Sequence, residues 1–182
     1  QRQMCIRDRD YFKVKPMEEG AALESGLLNM IGKEVDEAYY KATMSLRLAP
    51  EVTERHGAEM RIVYTPLHGS GNVPVREILK RIGLSNISVV KEQEAPDGSF
   101  PTVKAPNPED PNAFTLAFDL ANKTGADLIL GTDPDSDRLG AAVRGRDGRF
   151  QVLTGNQIGS ILIHYILSTR SERGTLPKDG LV

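Results

Sequence analysis

The stretch ADLILGTDPDSDR, residues 126–138, constrains this chain more than any other. Residues 126–132 are apolar at nearly every position. A short, continuously apolar run of this kind suits a strand covered on both faces, in the middle of a parallel sheet. Immediately after it come Asp133, Asp135 and Asp137, every second residue, and then Arg138. Like charges at that spacing repel, so the loop needs a reason to hold them.

The surrounding pattern agrees with such a sheet. MRIVYTP (60–66) is a β-branched, apolar run and predicts a strand. VPVREILKRIG (73–83) places Val75, Ile78, Leu79 and Ile82 at i, i+3, i+4 and i+7, and Gly83 stops the helix. NISVVK (86–91) predicts the next strand. The proline-rich EQEAPDGSFPTVKAPNPEDP that follows is a long loop, a functional or flexible feature in a compact domain. NAFTLAFDLANKTG (112–125) is helical, with Phe114, Ala117, Phe118 and Ala121 on one face. LGAAVR (139–144) and RFQVL (149–153) flank GRDG, a hairpin signal. Thr154 and Gln157 make a capping box for a helix with an apolar stripe of Ile158, Ile161, Leu162, Tyr165 and Ile166. Upstream, DEAYYKATMSLRL (36–48) predicts a helix starting at Asp36 with a break at Pro50, and residues 11–35 read as a connection with short helical pieces.

The fold class is α/β: a mostly parallel sheet with helices on both faces, three layers in αβα order, and an antiparallel hairpin near residues 139–153. In such sheets ligands gather beyond the carboxyl ends of the strands. Two loops lie there, TPLHGSGN after the first strand and GTDPDSDR after the third.

Composition narrows the function classes. The chain has 182 residues, is 39% hydrophobic and 26% charged, and carries a formal net charge of −2. That balance fits a globular domain, and it gives no electrostatic reason to expect nucleic acid or an anionic membrane. No tryptophan is present to stack a base. No stretch approaches the roughly 20 apolar residues of a membrane span. The single cysteine, Cys5, excludes an internal disulfide and fits a cytoplasmic location.

Asp133, Asp135 and Asp137 converge if alternate residues of the loop point to similar sides. Three carboxylates at one point call for a cation, and oxygen-only donors favour magnesium, calcium or manganese. An EF-hand loop needs Gly and Glu where this chain has Arg138 and Arg144, so that reading fails. A haloacid-dehalogenase-like phosphatase site matches poorly, with Asp137 or Leu139 at its fifth position. Solvated acids in a turn are the remaining alternative. Arg138 supplies a permanent cation suited to a phosphate oxygen, and its plainer role is to pair with one of the acids. His68 lies on the ligand edge, as a candidate substrate contact or as a residue satisfying the loop backbone. Gly69–Ser70–Gly71 offers N–H groups to an anion or simply makes a tight turn. Asn107 and Glu109 are expected to shape a turn and cap the following helix.

GTDPDSDRLG resembles the D-x-D-x-D-R metal-binding loop of the α-D-phosphohexomutases, the phosphoglucomutase and phosphomannomutase family. VYTPLHGSGN resembles the first loop of that family's second domain, APNPEDPNAF the segment before its next helix, and LTGNQIGSILIHYIL the opening of its third domain. The resemblance implies that Asp133, Asp135 and Asp137 hold Mg²⁺, that Arg138 takes part in catalysis, and that a serine outside this chain carries the phosphoryl group. It implies an isomerase that interconverts hexose 1-phosphate and 6-phosphate through a phosphoserine and a bisphosphate intermediate. The partners would be a phosphosugar substrate and the remaining domains of a parent enzyme. A phosphomannomutase or phosphopentomutase of the same family, and a non-catalytic metal- or phosphosugar-binding module, are the alternatives. The family's serine loop, T-A-S-H-N-P, has no counterpart here, since no Ser-His pair occurs. The expected organisation is therefore a non-native leader at 1–10, a connection from a missing first domain at 11–48, the metal-binding α/β domain at 49–153, and the start of a third domain at 154–182. Leu181 and Val182 look like the opening of a strand, so the chain is expected to be a fragment without mutase activity of its own.

Overall fold

The computed structural model describes residues 15–180; the expected leader, with Cys5, and the expected strand opening at Leu181 and Val182 lie outside the described residues. Contacts divide the chain into two compact units, Gln1–Lys41 and Ala42–Val182. The first contains the short helix α1 (Glu19–Glu24) and most of α2 (Lys33–Met44). Helix α2 starts three residues before the expected Asp36. The carbonyl of Gly32 already accepts the N–H groups of Val35 and Asp36, and Asp36 sits in the first turn, where an acid is favoured. Pro50 opens α3 (Pro50–His56) rather than only ending what precedes it. At a first helical position its missing N–H is one the helix would not use.

The second unit is built on one five-stranded sheet in the order β2-β1-β3-β4-β5. Strand β1 (Arg61–Thr65) pairs in parallel with both β2 (Asn86–Val89) and β3 (Leu128–Thr132). Strands β4 (Leu139–Arg144) and β5 (Phe150–Leu153) continue the sheet antiparallel, so the predicted hairpin is present. Its first strand also pairs with β3, Thr132 opposite Leu139. The aspartate loop is thus a connection between adjacent antiparallel strands, which the sequence pattern did not foresee.

The two-residue strand period separates the faces. Ile62, Leu128 and Leu130 pack with Leu79 and Val75 of helix α4 (Asn72–Arg81) and with Ile82 at its C-cap. Val63, Ile129 and Ala142 pack on the other side with Ala117 and Ala121 of helix α5 (Thr115–Thr124) and with Phe114. Each large apolar side chain buried there contributes about 1.5–3 kcal/mol. Helix α5 begins later than the sequence suggested because Pro111–Phe114 forms a 3₁₀ turn capped by the Asp110 carboxylate. It ends at Gly125, whose φ of 67° is the left-handed value a side chain disfavours. Phe114 fits against Gly131, where a Cβ would meet its ring carbons at 2.9 Å.

Helix α6 (Gly155–Glu172) carries the predicted capping box: Thr154 Oγ1 accepts from Gln157 N–H at 3.3 Å, and Thr154 N–H donates to Gln157 Oε1 at 2.8 Å. Ile161, Leu162, Tyr165 and Ile166 of its apolar stripe are exposed, Ile161 to 55%. No helix of the described residues is long and apolar enough to cross a membrane.

Phe114→Ala opens a cavity between α5 and the sheet. Urea denaturation of the 182-residue chain is expected to show a loss of about 3–5 kcal/mol.

Candidate metal centre

The site begins with strand register. Parallel pairing sets Thr65 of β1 opposite Gly131 of β3, so the loops after these strands leave the sheet side by side. Their backbones meet. Ser70 N–H and Ser70 Oγ both donate to the carbonyl of Pro134, at 2.8 and 3.0 Å. Glycine is required on either side of that contact: a Cβ at residue 69 would collide with the Pro134 backbone, and one at residue 71 would meet Ser136 Oγ at 2.5 Å. Gly69 N–H donates to Pro66 O and Ser70 N–H to Pro134 O, so neither is free for an anion.

Beneath the loops, Tyr64 and Thr132 share a buried hydroxyl–hydroxyl hydrogen bond of 2.8 Å. Burial pushes the Tyr64 phenol above its ordinary value, which keeps it a neutral hydroxyl. The chain then turns: Ser136 N–H donates to Asp133 O at 3.1 Å, with Pro134 leading the turn and Ser136 at a φ of 61°. Non-glycine residues with positive φ also occur at Leu67 and His68, in the neighbouring loop.

This turn brings the acids together. One carboxylate oxygen from each of Asp133, Asp135 and Asp137 lies within 4.8 Å of the others. Their environments differ. Asp133 is 1% exposed, whereas Asp135 and Asp137 face solvent. Arg138 binds Asp133 twice, through its backbone N–H to Oδ1 at 3.1 Å and through Nε to Oδ2 at 2.8 Å. Burial alone would raise the Asp133 carboxyl; the two Arg138 donors outweigh it and hold the group below the ordinary carboxylate range. Asp137 shifts the other way, because it shares a hydrogen bond with Asp133 and feels the charges of Asp135 and Asp133. Pairing with Asp133 raises the Arg138 guanidinium further. The cluster therefore has one ionised, arginine-paired carboxylate at its base and two more exposed acids above it. An all-oxygen donor set of this kind fits a hard divalent cation.

Arg138 also reaches Asn107, Nη1 to Oδ1 at 3.1 Å. Asn107 shapes its own turn, as expected, by accepting from Glu109 N–H. Its link to Arg138 across the sheet edge was not legible in the sequence. Glu109 does not cap the next helix; Asp110 does.

His68 is 5% exposed. Its Nδ1 bonds the carbonyl of Ala95 at 3.1 Å and its Nε2 the hydroxyl of Thr102 at 2.9 Å. A carbonyl only accepts, so Nδ1 carries a proton, while Nε2 shares its hydrogen bond with a hydroxyl. Thr102 in turn accepts from Gln93 Nε2, and Gln93 Oε1 accepts from Thr65. Both ring nitrogens are thus occupied within the long loop, and the imidazole is not among the groups that converge with the acids. Thr65, Gln93 and Thr102 were missed in the sequence; polar residues at the ends of apolar runs were the available signal.

The opposite shifts of the two acids give opposite pH slopes. Asp133, lowered in the fold, contributes stability above the unfolded carboxylate value of about 3.9 and loses it as pH falls through its folded value. Asp137, raised in the fold, opposes folding once ionised. In EDTA, Asp133→Asn is expected to lower stability at neutral pH by about 1.5–3 kcal/mol, the scale of a charged hydrogen bond, and to flatten the acid limb. Asp137→Asn is expected to raise the melting temperature at neutral pH. Thermal melts across the acid range check both.

Comparison with known proteins agrees with this architecture. Residues 37–148 match the family model for phosphoglucomutase/phosphomannomutase, alpha/beta/alpha domain II. A phosphoglucomutase of Staphylococcus saprophyticus is 39% identical over 155 residues, 85% of this chain and 27% of that protein. A phosphoglucomutase of Staphylococcus aureus is 42% identical over 115 residues, 63% of this chain and 21% of that protein. The chain thus spans about a quarter of the length of the curated relatives it matches. A solved structure from Thermus thermophilus, assigned as a phosphomannomutase, shares the fold with a TM-score of 0.57 at 23% identity, over 74% of this chain and 29% of that one. On the strength of the family match across its α/β/α core, the chain belongs to the phosphoglucomutase/phosphomannomutase family.

Proposed function

We propose that this chain supplies the Mg²⁺ site of a phosphoglucomutase, an isomerase that interconverts hexose 1-phosphate and 6-phosphate through a phosphoserine and a bisphosphate intermediate. The observation that carries the reading is the convergence of three carboxylates, within 4.8 Å, at the carboxyl end of β3. The naming of the staphylococcal relatives as phosphoglucomutases supports the choice of reaction.

In this reading Asp133, Asp135 and Asp137 are the metal ligands. A bound Mg²⁺ would supply Lewis-acid stabilisation of a phosphoryl oxygen. The protein's own contribution is positioning. Arg138 holds Asp133 in one orientation through its backbone N–H and Nε while its Nη1 donates to Asn107, and a guanidinium beside the acids suits phosphate oxygens. His68, bonded at both nitrogens, serves the site by ordering the loop rather than by a free ring nitrogen. The serine that carries the phosphoryl group, the sugar-recognising residues and the rest of the cleft belong to other parts of a longer parent, so the 182-residue chain has no mutase activity alone. The exposed apolar residues of α6 support its assignment as the opening of a third domain, beginning near residue 154.

Mn²⁺-induced paramagnetic broadening of amide NMR signals tests the reading directly. Broadening centred on residues 132–139 and absent in Asp135→Asn is the expected result; diffuse broadening, equal in both, counts against the site. In the full-length parent, Asp135→Asn is expected to lower kcat about 10²–10³-fold, the scale of removing one electrostatic stabiliser, in a steady-state mutase assay.

A further inference from the structure

Three like charges must be held together before any cation arrives. We propose that Ser70 is a positioning residue for the acidic loop, its N–H and Oγ jointly fixing the Pro134 carbonyl and with it the direction in which Asp135 presents its carboxylate. The purpose of this clamp rests on the metal-centre reading; its mechanism rests on geometry alone.

The hydrogen bond from Ser136 N–H to Asp133 O closes a four-residue turn with Pro134 and Asp135 at its two central positions. The peptide joining those positions takes no part in the closing bond. It is the unit whose rotation interconverts the two common turn types, and rotation carries the second central residue with it. Its oxygen is the Pro134 carbonyl. Pro134 has no N–H, so that oxygen is its only backbone hydrogen-bonding group. Two donors from one residue hold it, at 2.8 and 3.0 Å. Asp135 keeps a negative φ, as the held orientation requires, while Ser136 takes the positive one.

The donor is itself anchored. His68 N–H donates to Gln93 O at 3.0 Å and Gly69 N–H to Pro66 O at 2.8 Å, which sets the backbone that presents Ser70. The flanking glycines allow the approach: a Cβ at residue 71 would lie 2.8 Å from both Thr132 Oγ1 and Tyr64 OH. Ser70 is exposed and does not belong to the apolar core, so replacing it removes one donor and little packing.

The test compares the wild-type chain with Ser70→Ala and Ser70→Thr, by amide hydrogen exchange in EDTA and by Mn²⁺ titration followed by electron paramagnetic resonance. In Ser70→Ala the Ser136 and Arg138 amides are expected to exchange about 2–10-fold faster, the factor equivalent to one neutral hydrogen bond. The Mn²⁺ Kd rises by a similar factor, and Ser70→Thr restores both. Equal exchange in wild type and Ser70→Ala overturns the proposal whether or not Mn²⁺ binds. So does a lower melting temperature with unchanged exchange at residues 136 and 138. A wild-type chain that binds no Mn²⁺, yet loses protection in Ser70→Ala, overturns the metal-centre reading and leaves the positioning role supported.

Discussion

The parallel pairing of β1 with β3 is the constraint on which the rest of the site depends. It places Thr65 opposite Gly131, so two loops separated by more than sixty residues in sequence leave the sheet next to each other. A one-residue slip would turn every side chain of β1 to the opposite face. Ile62 would leave the α4 cluster and Val63 the α5 cluster, so burial on both faces fixes the register. The approach of the Ser70 backbone to Pro134 follows from that register and from the glycines on either side.

Charge at the site is distributed unequally for a physical reason. A carboxylate as buried as Asp133 is tolerated only with partners, and Arg138 supplies both a backbone and a side-chain donor. That bond consumes the nearest positive charge. Asp135 and Asp137 then face solvent, with Arg138 Nε farther off at 3.7 Å from Asp137 Oδ1, and the hydrogen bond with Asp133 together with the charges of Asp135 and Asp133 makes Asp137 hold its proton more tightly. The arrangement joins a rigid acid at the base to two open ones, a geometry that favours a counter-ion from outside the chain.

The long loop between β2 and α5 is ordered by polar contacts as well as by the apolar packing of Val90 and Phe114 at its two ends. Thr65, Gln93, Thr102, His68 and the carbonyl of Ala95 form one chain of hydrogen bonds, and no buried side-chain polar atom among the described residues lacks a partner. A partly satisfied network of this kind would be costly in a low-dielectric interior; a complete one fixes a single loop conformation. Through Asn107 the same loop reaches Arg138, so the acid cluster is braced from two directions.

The sequence by itself determined the strands, the helices other than α3 and the acid-rich loop, because apolar periodicity, Gly125 and the Thr154–Gln157 capping box act over a few residues. It marked Asp133, Asp135, Asp137 and Arg138 as a group for the same reason. It misplaced the start of α2 and read Pro50 only as a break, since helix ends are set by small local balances that periodicity does not resolve. Tertiary structure alone decided that β4 pairs with β3, that Asp133 is buried while its neighbours are open, that His68 is bonded at both nitrogens, and that Ser70, Asn107 and Tyr64 meet the acidic loop or its base. Those outcomes depend on hydrogen-bond partners brought together by strand pairing across long sequence separations, and no local pattern encodes a partner that far away.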